Sequence, residues 1–166
     1  QKNKILFEMS STDGLTKISN HRTLIEYLNK GILYSTSTKS PLSIAMFDID
    51  NFKIVNDCFG HVYGDQVLIN IAAIIKNGIR DTDLVGRYGG EEFMVVFTGA
   101  DLGTAAKIAE RIRKMVEKHL FAQNINVTIS GGVKSHEGEK LMDFIHEADK
   151  NLYEAKRLGK NQIIAY

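Results

Sequence analysis

The stretch Arg87-Tyr88-Gly89-Gly90-Glu91-Glu92-Phe93, continued by Met94-Val95-Val96-Phe97, sets two acids beside a glycine pair at the head of an apolar run. That run reads as a buried strand, and carboxylates at its mouth are costly unless a cation or hydrogen-bond donors meet them. Leu84-Val85 and Arg87-Tyr88 read as a second short strand, and Gly-Gly between two such runs signals a tight hairpin. Glu91 and Glu92 then belong to the apex of that hairpin.

Upstream, residues 42–47 form a short apolar strand that ends against Asp48-Ile49-Asp50. A helix over about 22–34 precedes it, separated by the polar loop Ser35-Thr36-Ser37-Thr38-Lys39-Ser40-Pro41. Helical spacing resumes at Leu68, Ile71, Ala72, Ile75 and Ile79, and again at Ala105, Ile108, Ala109, Ile112, Met115 and Val116. A last helix carries Leu141, Phe144, Ile145, Ala148, Leu152 and Ala155, with Gly159 as its stop. Val127-Thr128-Ile129-Ser130 and residues 163–166 read as further strands. This order predicts an α/β (α+β) domain with a central mixed, largely antiparallel sheet flanked by helices. Asp48 follows one strand and Glu91 opens the next long one, so neighbouring central strands can bring both acids to one edge.

The bulk properties exclude several classes. A chain of 166 residues with 43% hydrophobic content suits one globular domain with a real core. A net charge of +1, from 21 basic and 20 acidic residues, argues against nucleic acid as a partner but leaves local phosphate binding open. Cys58 is the single cysteine, so an intrachain disulfide, a thiolate zinc site and a redox pair are all excluded, and a reducing cytoplasm fits best. No apolar run approaches the roughly 18 residues of a membrane span, and the first residues lack a signal-peptide plan. The chain starts without Met, and Ile5, Leu6 and Met9 have the spacing of the tail of an amphipathic helix. Residues 1–10 are therefore expected to end an upstream linker helix and residues 11–166 to form the domain. A sensory or regulatory module is expected before it, an arrangement compatible with membrane anchoring of the full-length protein.

Mg²⁺ takes oxygen ligands, usually one or two carboxylates plus substrate phosphates, and an acid pair at a sheet edge suits it. The competing reading is a solvated hairpin tip. Period-two geometry points Asp48 and Asp50 to the same side if the strand persists, and spacing does not choose between them as ligands.

Several separated motifs now assemble: Asp13-Gly14-Leu15-Thr16 with Asn20; Asp48-Ile49-Asp50-Asn51-Phe52-Lys53; Asn56-Asp57; Gly60-His61; Gly64-Asp65; the glycine hairpin; Ala148-Asp149-Lys150-Asn151-Leu152-Tyr153-Glu154-Ala155-Lys156; and Gly159-Lys160-Asn161. In this order and spacing they resemble the GGDEF-domain diguanylate cyclases, over nearly the whole chain. The resemblance implies a fold akin to adenylyl cyclase catalytic cores and polymerase palms. It also implies condensation of two GTP into cyclic di-GMP and two pyrophosphates, each 3′-hydroxyl attacking the other nucleotide's α-phosphate across a C2 homodimer.

Carried over by position, the resemblance makes Asp48, the Ile49 carbonyl and Glu91 ligands of Mg²⁺, with Mn²⁺ as a possible substitute, and moves Asp50 to a supporting role. Asp48 and Glu91 are the catalytic pair, the general base staying open between Glu91 and the metal itself. Glu91 in place of the aspartate of the family name keeps the carboxylate. Asn56 and Asp65 match the guanine-reading positions, and helix capping is the structural alternative for both. Lys53, Lys156 and Lys160 match phosphate contacts, Lys160 replacing a frequent arginine. Phe52 completes the substrate-binding set and, like Leu68, reads also as packing, with Leu15 and Leu68 near the base. Arg80-Asp81-Thr82-Asp83 has the spacing of the family's RxxD product-inhibition site, with Arg111 as third member; alone, RxxD is a surface ion pair. Lys17 stands where the family usually has glycine, His21 where arginine is frequent, and Gly131 where a branched residue is usual. The rival reading is a catalytically weak receptor module that binds GTP or cyclic di-GMP.

Overall fold

The apolar run that ends on Asp48-Ile49 is the middle of the sheet. The protein is described here by a computed structural model that covers residues 2–3 and 10–166; Ile5, Leu6 and Met9, expected to end a linker helix, lie outside the described residues. In chain order the elements are α1 (His21–Thr38), β1 (Leu42–Ile49), α2 (Phe52–Phe59), α3 (His61–Gly78), β2 (Asp83–Arg87), β3 (Glu92–Thr98), α4 (Leu102–Lys118), β4 (Ile129–Ser135), α5 (Leu141–Arg157) and β5 (Ile163–Ala165). The sheet has five strands in the order β2-β3-β1-β4-β5. All pairs are antiparallel except β4 with β5, so the expected mixed, largely antiparallel sheet is found.

Alternation along β1 divides the core into two layers. Ala45, Phe47 and Ile49 face α2, α3 and α4 through Val55, Val67, Ile71, Ile75, Ile108 and Ile112. Leu42, Ile44 and Met46 face α1 and α5 through Leu24, Leu28, Phe144, Ala148 and Leu152. Nearly continuous burial of β1 and β3 explains why both read as unbroken apolar runs rather than alternating ones. Asp48 shares its parity with Met46 and pairs across the ladder with Glu92, so both carboxylates emerge on the α5 face of the sheet.

Several boundaries differ from the sequence reading. Residues 35–38 continue α1 rather than forming a loop, because the Ser37 and Thr38 hydroxyls donate back to the Tyr34 carbonyl and satisfy the helix end. The Asn51–Gly60 stretch, read only as motif, folds as α2 after Asn51 turns the chain at a φ of 56°. Helix α3 starts at His61, well before its apolar spacing shows. Strand β4 runs through Gly131-Gly132 instead of stopping at Ser130. A Cβ on Gly132 would lie 2.2 Å from both the Ala148 carbonyl oxygen and the Leu152 amide nitrogen, so the bare backbone is what lets α5 sit against the sheet. Lys17 has a φ of 64°, which gives the family's usual glycine there its physical reason.

Gly132→Ala forces α5 off β4. The expected loss is about 3 kcal/mol, at the severe end for one added methyl because the opposing atoms are backbone. Chemical denaturation of the two proteins measures it.

Candidate active site

The turn after β1 brings the acids together. Asp50 follows the strand and is 4% exposed, yet its carboxylate is saturated. It accepts from Thr128 Oγ1 (2.7 Å), Ser130 Oγ (2.7 Å), the Asn161 amide (3.0 Å) and Lys156 Nζ (2.8 Å). Those bonds, stronger for the ionised form, hold its carboxyl below the ordinary range although burial works the other way. Sequence spacing left Asp48 and Asp50 as equal candidates; the structure assigns Asp50 to the scaffold, tying β1 to β4, α5 and the segment before β5.

Asp48 has the opposite environment. Burial pushes its carboxyl up, Asp50 and Asp149 add to this, and only Lys156, 2.9 Å away, opposes. Glu91 sits in the hairpin turn, whose backbone is fixed on β1 by the Ile49 amide donating to the Glu91 carbonyl at 3.3 Å. Burial, then the charges of Asp48 and Glu92, raise the Glu91 carboxyl. Glu92 opens β3 rather than capping the hairpin, and burial with Asp48 and Asp149 raises it too. Glu92 and Asp149, acids of the same cluster, received no role from sequence reasoning; the parity of Glu92 with Met94 was the signal available.

This donor set fits a hard cation. The Lys156 ammonium contacts Asp48 Oδ1 and, at 3.3 Å, the Ile49 carbonyl, so one positive centre already reaches both oxygens. Among the described residues no three His, Cys, Asp or Glu side chains gather as a complete metal shell. Two carboxylates with one backbone carbonyl, leaving positions for water and phosphate oxygens, is what Mg²⁺ tolerates.

On the other side of the hairpin lies a cleft of about 260 Å³ lined by Phe52, Asn56, His61, Asp65, Leu68, Arg87, Gly90 and Glu91. It unites Phe52, Asn56, Asp65 and Glu91 from four separate motifs. Capping is excluded for both polar residues: Asn56 lies within α2, and Asp65 is the fifth residue of α3, exposed. Asn56 Oδ1 is, among the described residues, the one buried side-chain polar atom lacking a hydrogen bond. Gly64 makes room for it, since a Cβ there would stand 1.9 Å from that oxygen. A buried acceptor left open costs about 1–3 kcal/mol, which a ligand N–H would recover.

Arg87, also missed, closes the cleft. Its guanidinium donates to the Gly90 carbonyl at 2.7 and 3.1 Å and pairs with Asp13 at 3.2 Å, fixing the hairpin on the Asp13–Thr16 turn. Of the expected phosphate contacts, Lys53 is exposed, Lys160 donates to Asn51 Oδ1 at 2.6 Å, and Lys156 stands on the acids. None of the three lines the cleft. Arg80 and Asp83 form a bidentate pair at 3.0 and 2.8 Å. The Asp83 side chain is fully buried and that of Arg80 is 40% exposed. Arg111 donates to the Gly78 carbonyl, near Arg80, but lines a different hollow of about 620 Å³ with Lys107, Lys114 and Lys118.

Residues 10–162 match the family described as "Diguanylate cyclase, GGDEF domain". Diguanylate cyclase A of Treponema denticola is 43% identical over 97% of this chain and 46% of its own length. The chain spans about half the length of this relative and of a diguanylate cyclase from Vibrio cholerae that it also matches. Among solved structures, the coiled coil and GGDEF domain of DgcB from Caulobacter crescentus, in complex with c-di-GMP, superimposes with a TM-score of 0.95 at 28% identity, covering 99% of this chain and 90% of that one. The active GGEEF domain of a diguanylate cyclase from Vibrio cholerae superimposes with a TM-score of 0.84 at 38% identity, covering 87% and 95%.

The two kinds of carboxylate give opposite stability signatures. Raised folded-state values at Asp48, Glu91 and Glu92 mean that ionising them costs stability as pH rises through the carboxylate range. In chelator-treated buffer Glu91→Gln is expected to raise Tm by about 2–4 °C at neutral pH, the shift roughly 1 kcal/mol produces in a chain this size, and the gain fades on acidification. Asp50, with its lowered value, contributes stability present above its unfolded value and lost as pH falls through the folded one. Asp50→Asn is expected to cost about 3 kcal/mol at neutral pH, less in acid. Thermal melts against pH report both signs.

Proposed function

This chain belongs to the GGDEF family of diguanylate cyclase domains, and from that membership we propose that it condenses two GTP into cyclic di-GMP and two pyrophosphates. The observation that carries the reading is the open Asn56 Oδ1 in a cleft shared with Asp65 and Glu91. Guanine presents N1–H and N2–H₂ to acceptors of this kind, and Asp65 adds a carboxylate for the same edge. Adenine offers no donor pair there, so the acceptors would stay unpaired, a penalty that disfavours ATP and mixed dinucleotides. Phe52 and Leu68 supply the apolar walls for the base.

Asp48, the Ile49 carbonyl and Glu91 would hold a divalent ion, Mg²⁺ first with Mn²⁺ as substitute, which when bound would supply Lewis-acid charge at the phosphate. Lys53, Lys156 and Lys160 offset the charge of the triphosphate tail. Glu91, its carboxyl raised by burial and by Asp48, is suited to receive the proton of a 3′-hydroxyl. One domain holds one nucleotide, so each attack crosses to the nucleotide of a facing copy, and a C2 homodimer completes the site. The supporting features are the acid cluster and the likeness to an active domain that carries the same GGEEF signature. An upstream regulatory module would control the approach of the two copies, and a reducing cytoplasm supplies GTP; among the described residues no helix is long and apolar enough to cross a membrane.

The same reading assigns product inhibition to the Arg80 region. Asp83 holds the Arg80 guanidinium, which also donates to the Thr98 carbonyl at 3.2 Å. This 40% exposed side chain would offer its remaining donors to a phosphate or guanine; Arg111, bound to the Gly78 carbonyl, would have to turn toward it from its own hollow.

Radiolabelled GTP turnover tests the assignments. Glu91→Gln is expected to lower the rate at least a hundredfold while the protein still folds, as expected for lost metal and base function. Asp65→Asn weakens GTP and narrows its margin over ATP by about tenfold. Full turnover in Glu91→Gln would remove the site. For the inhibitory site, Arg80→Ala is expected to leave initial rates intact and abolish the late slowing by product; unchanged product affinity removes that assignment.

A further inference from the structure

Lys156 occupies an unusual place for a phosphate ligand. It projects from the last turn of α5, and its ammonium is 2.9 Å from Asp48 Oδ1, 2.8 Å from Asp50 Oδ1 and 3.3 Å from the Ile49 carbonyl. Two of these three oxygens belong to the set assigned above to the divalent ion. The third is the saturated scaffold acid, which keeps three further donors if the ammonium leaves.

We propose that Lys156 is a built-in competitor for the metal site, holding the Asp48 and Ile49 oxygens until the triphosphate of a nucleotide draws its ammonium away. An ammonium and a divalent ion on the same half-buried oxygens repel one another, and the low local dielectric sharpens that repulsion. Metal alone therefore meets Asp48 and Ile49 oxygens that a cation already occupies. Phosphate oxygens reverse the balance, because they offer the ammonium new charged acceptors. Lys160 extends the device: it lies four residues on, held by Asn51 Oδ1, and its ammonium is exposed for the same tail. The side chain of Lys156 is 24% exposed, so it has a path out of the cluster. By linkage, the factor by which nucleotide tightens metal is the factor by which metal tightens nucleotide. The acid cluster thus loads its two ligands together, and a pool of free divalent ion does not by itself arm the site.

This inference rests on the metal reading above, and the experiment separates the two. Mn²⁺ binding without nucleotide is followed by electron paramagnetic resonance in the wild type, Lys156→Met and Lys156→Arg. Lys156→Met is expected to bind Mn²⁺ about tenfold tighter than wild type, and Lys156→Arg, which keeps a cation, is not. Equal or weaker binding in Lys156→Met overturns the proposal while leaving the metal site standing. No Mn²⁺ on any of the proteins, even with a non-hydrolysable GTP analogue, removes the metal reading and this inference with it. Loss of Lys156 also takes a partner from Asp50, so a second measurement uses the unaltered protein: acylation of lysines read by mass spectrometry. At Mn²⁺ concentrations that fill the site, displacement of the ammonium is expected to speed labelling of Lys156 and of no other lysine, and an unchanged rate at Lys156 in the metal-filled protein contradicts the proposal.

Discussion

A carboxylate buried at the end of the middle strand is the constraint on which the other parts hang. Asp50 can be ionised there only because Thr128, Ser130, the Asn161 amide and Lys156 all converge on it. Those partners come from the approach to β4, from β4 itself, from the loop before β5 and from α5. One charge therefore fixes the relative placement of four chain segments. Breaking such a network leaves an uncompensated buried charge, which costs far more than the net gain of forming it. Its consequence for function is positional: with Asp50 pinned, Asp48 and the Ile49 carbonyl are aimed at the hairpin that carries Glu91.

The cluster around that point is deliberately unbalanced. Asp48 lies within electrostatic reach of Glu91, Glu92 and Asp149, and Lys156 is the cation that Asp48, Glu91 and Glu92 share. Repulsion of this kind lowers the stability of the folded chain and stores affinity for cations. The neighbouring cleft shows the same economy with a neutral group. Asn56 Oδ1 is buried without a partner because Gly64 leaves it space, and a side chain at that position would have displaced it. Both features weaken the protein and make sense as places for a ligand.

Periodicity carried the layers well. The apolar faces of α3, α4 and α5 were legible, and the continuous runs in β1 and β3 marked strands buried on both sides. What failed was decided by contacts that a local pattern does not hold. Gly131-Gly132 looked like a strand end and proved to be the surface against which α5 packs. Phe52–Phe59 hid its helix because it is only eight residues long, too short for the apolar spacing of Phe52, Val55 and Phe59 to stand out. At the site, spacing left Asp48 and Asp50 equal and the family resemblance pointed to Asp48, Glu91, Asn56 and Asp65, whereas the pairing of Arg87 with Asp13 and Gly90 depends on a return of the chain that no spacing encodes. Lys156 was legible as a cation for phosphate, but its position on the acids was not.

The most direct test of the account is product identity. Nucleotide-stripped protein is incubated with GTP and Mg²⁺ over a wide range of protein concentration, and cyclic di-GMP is quantified by mass spectrometry. The account predicts cyclic di-GMP with a specific rate that climbs with concentration, as a site shared between two copies requires. GTP binding with no cyclic di-GMP at high concentration, even when dimerisation is enforced by a fused coiled coil, would contradict it and leave a nucleotide receptor in its place.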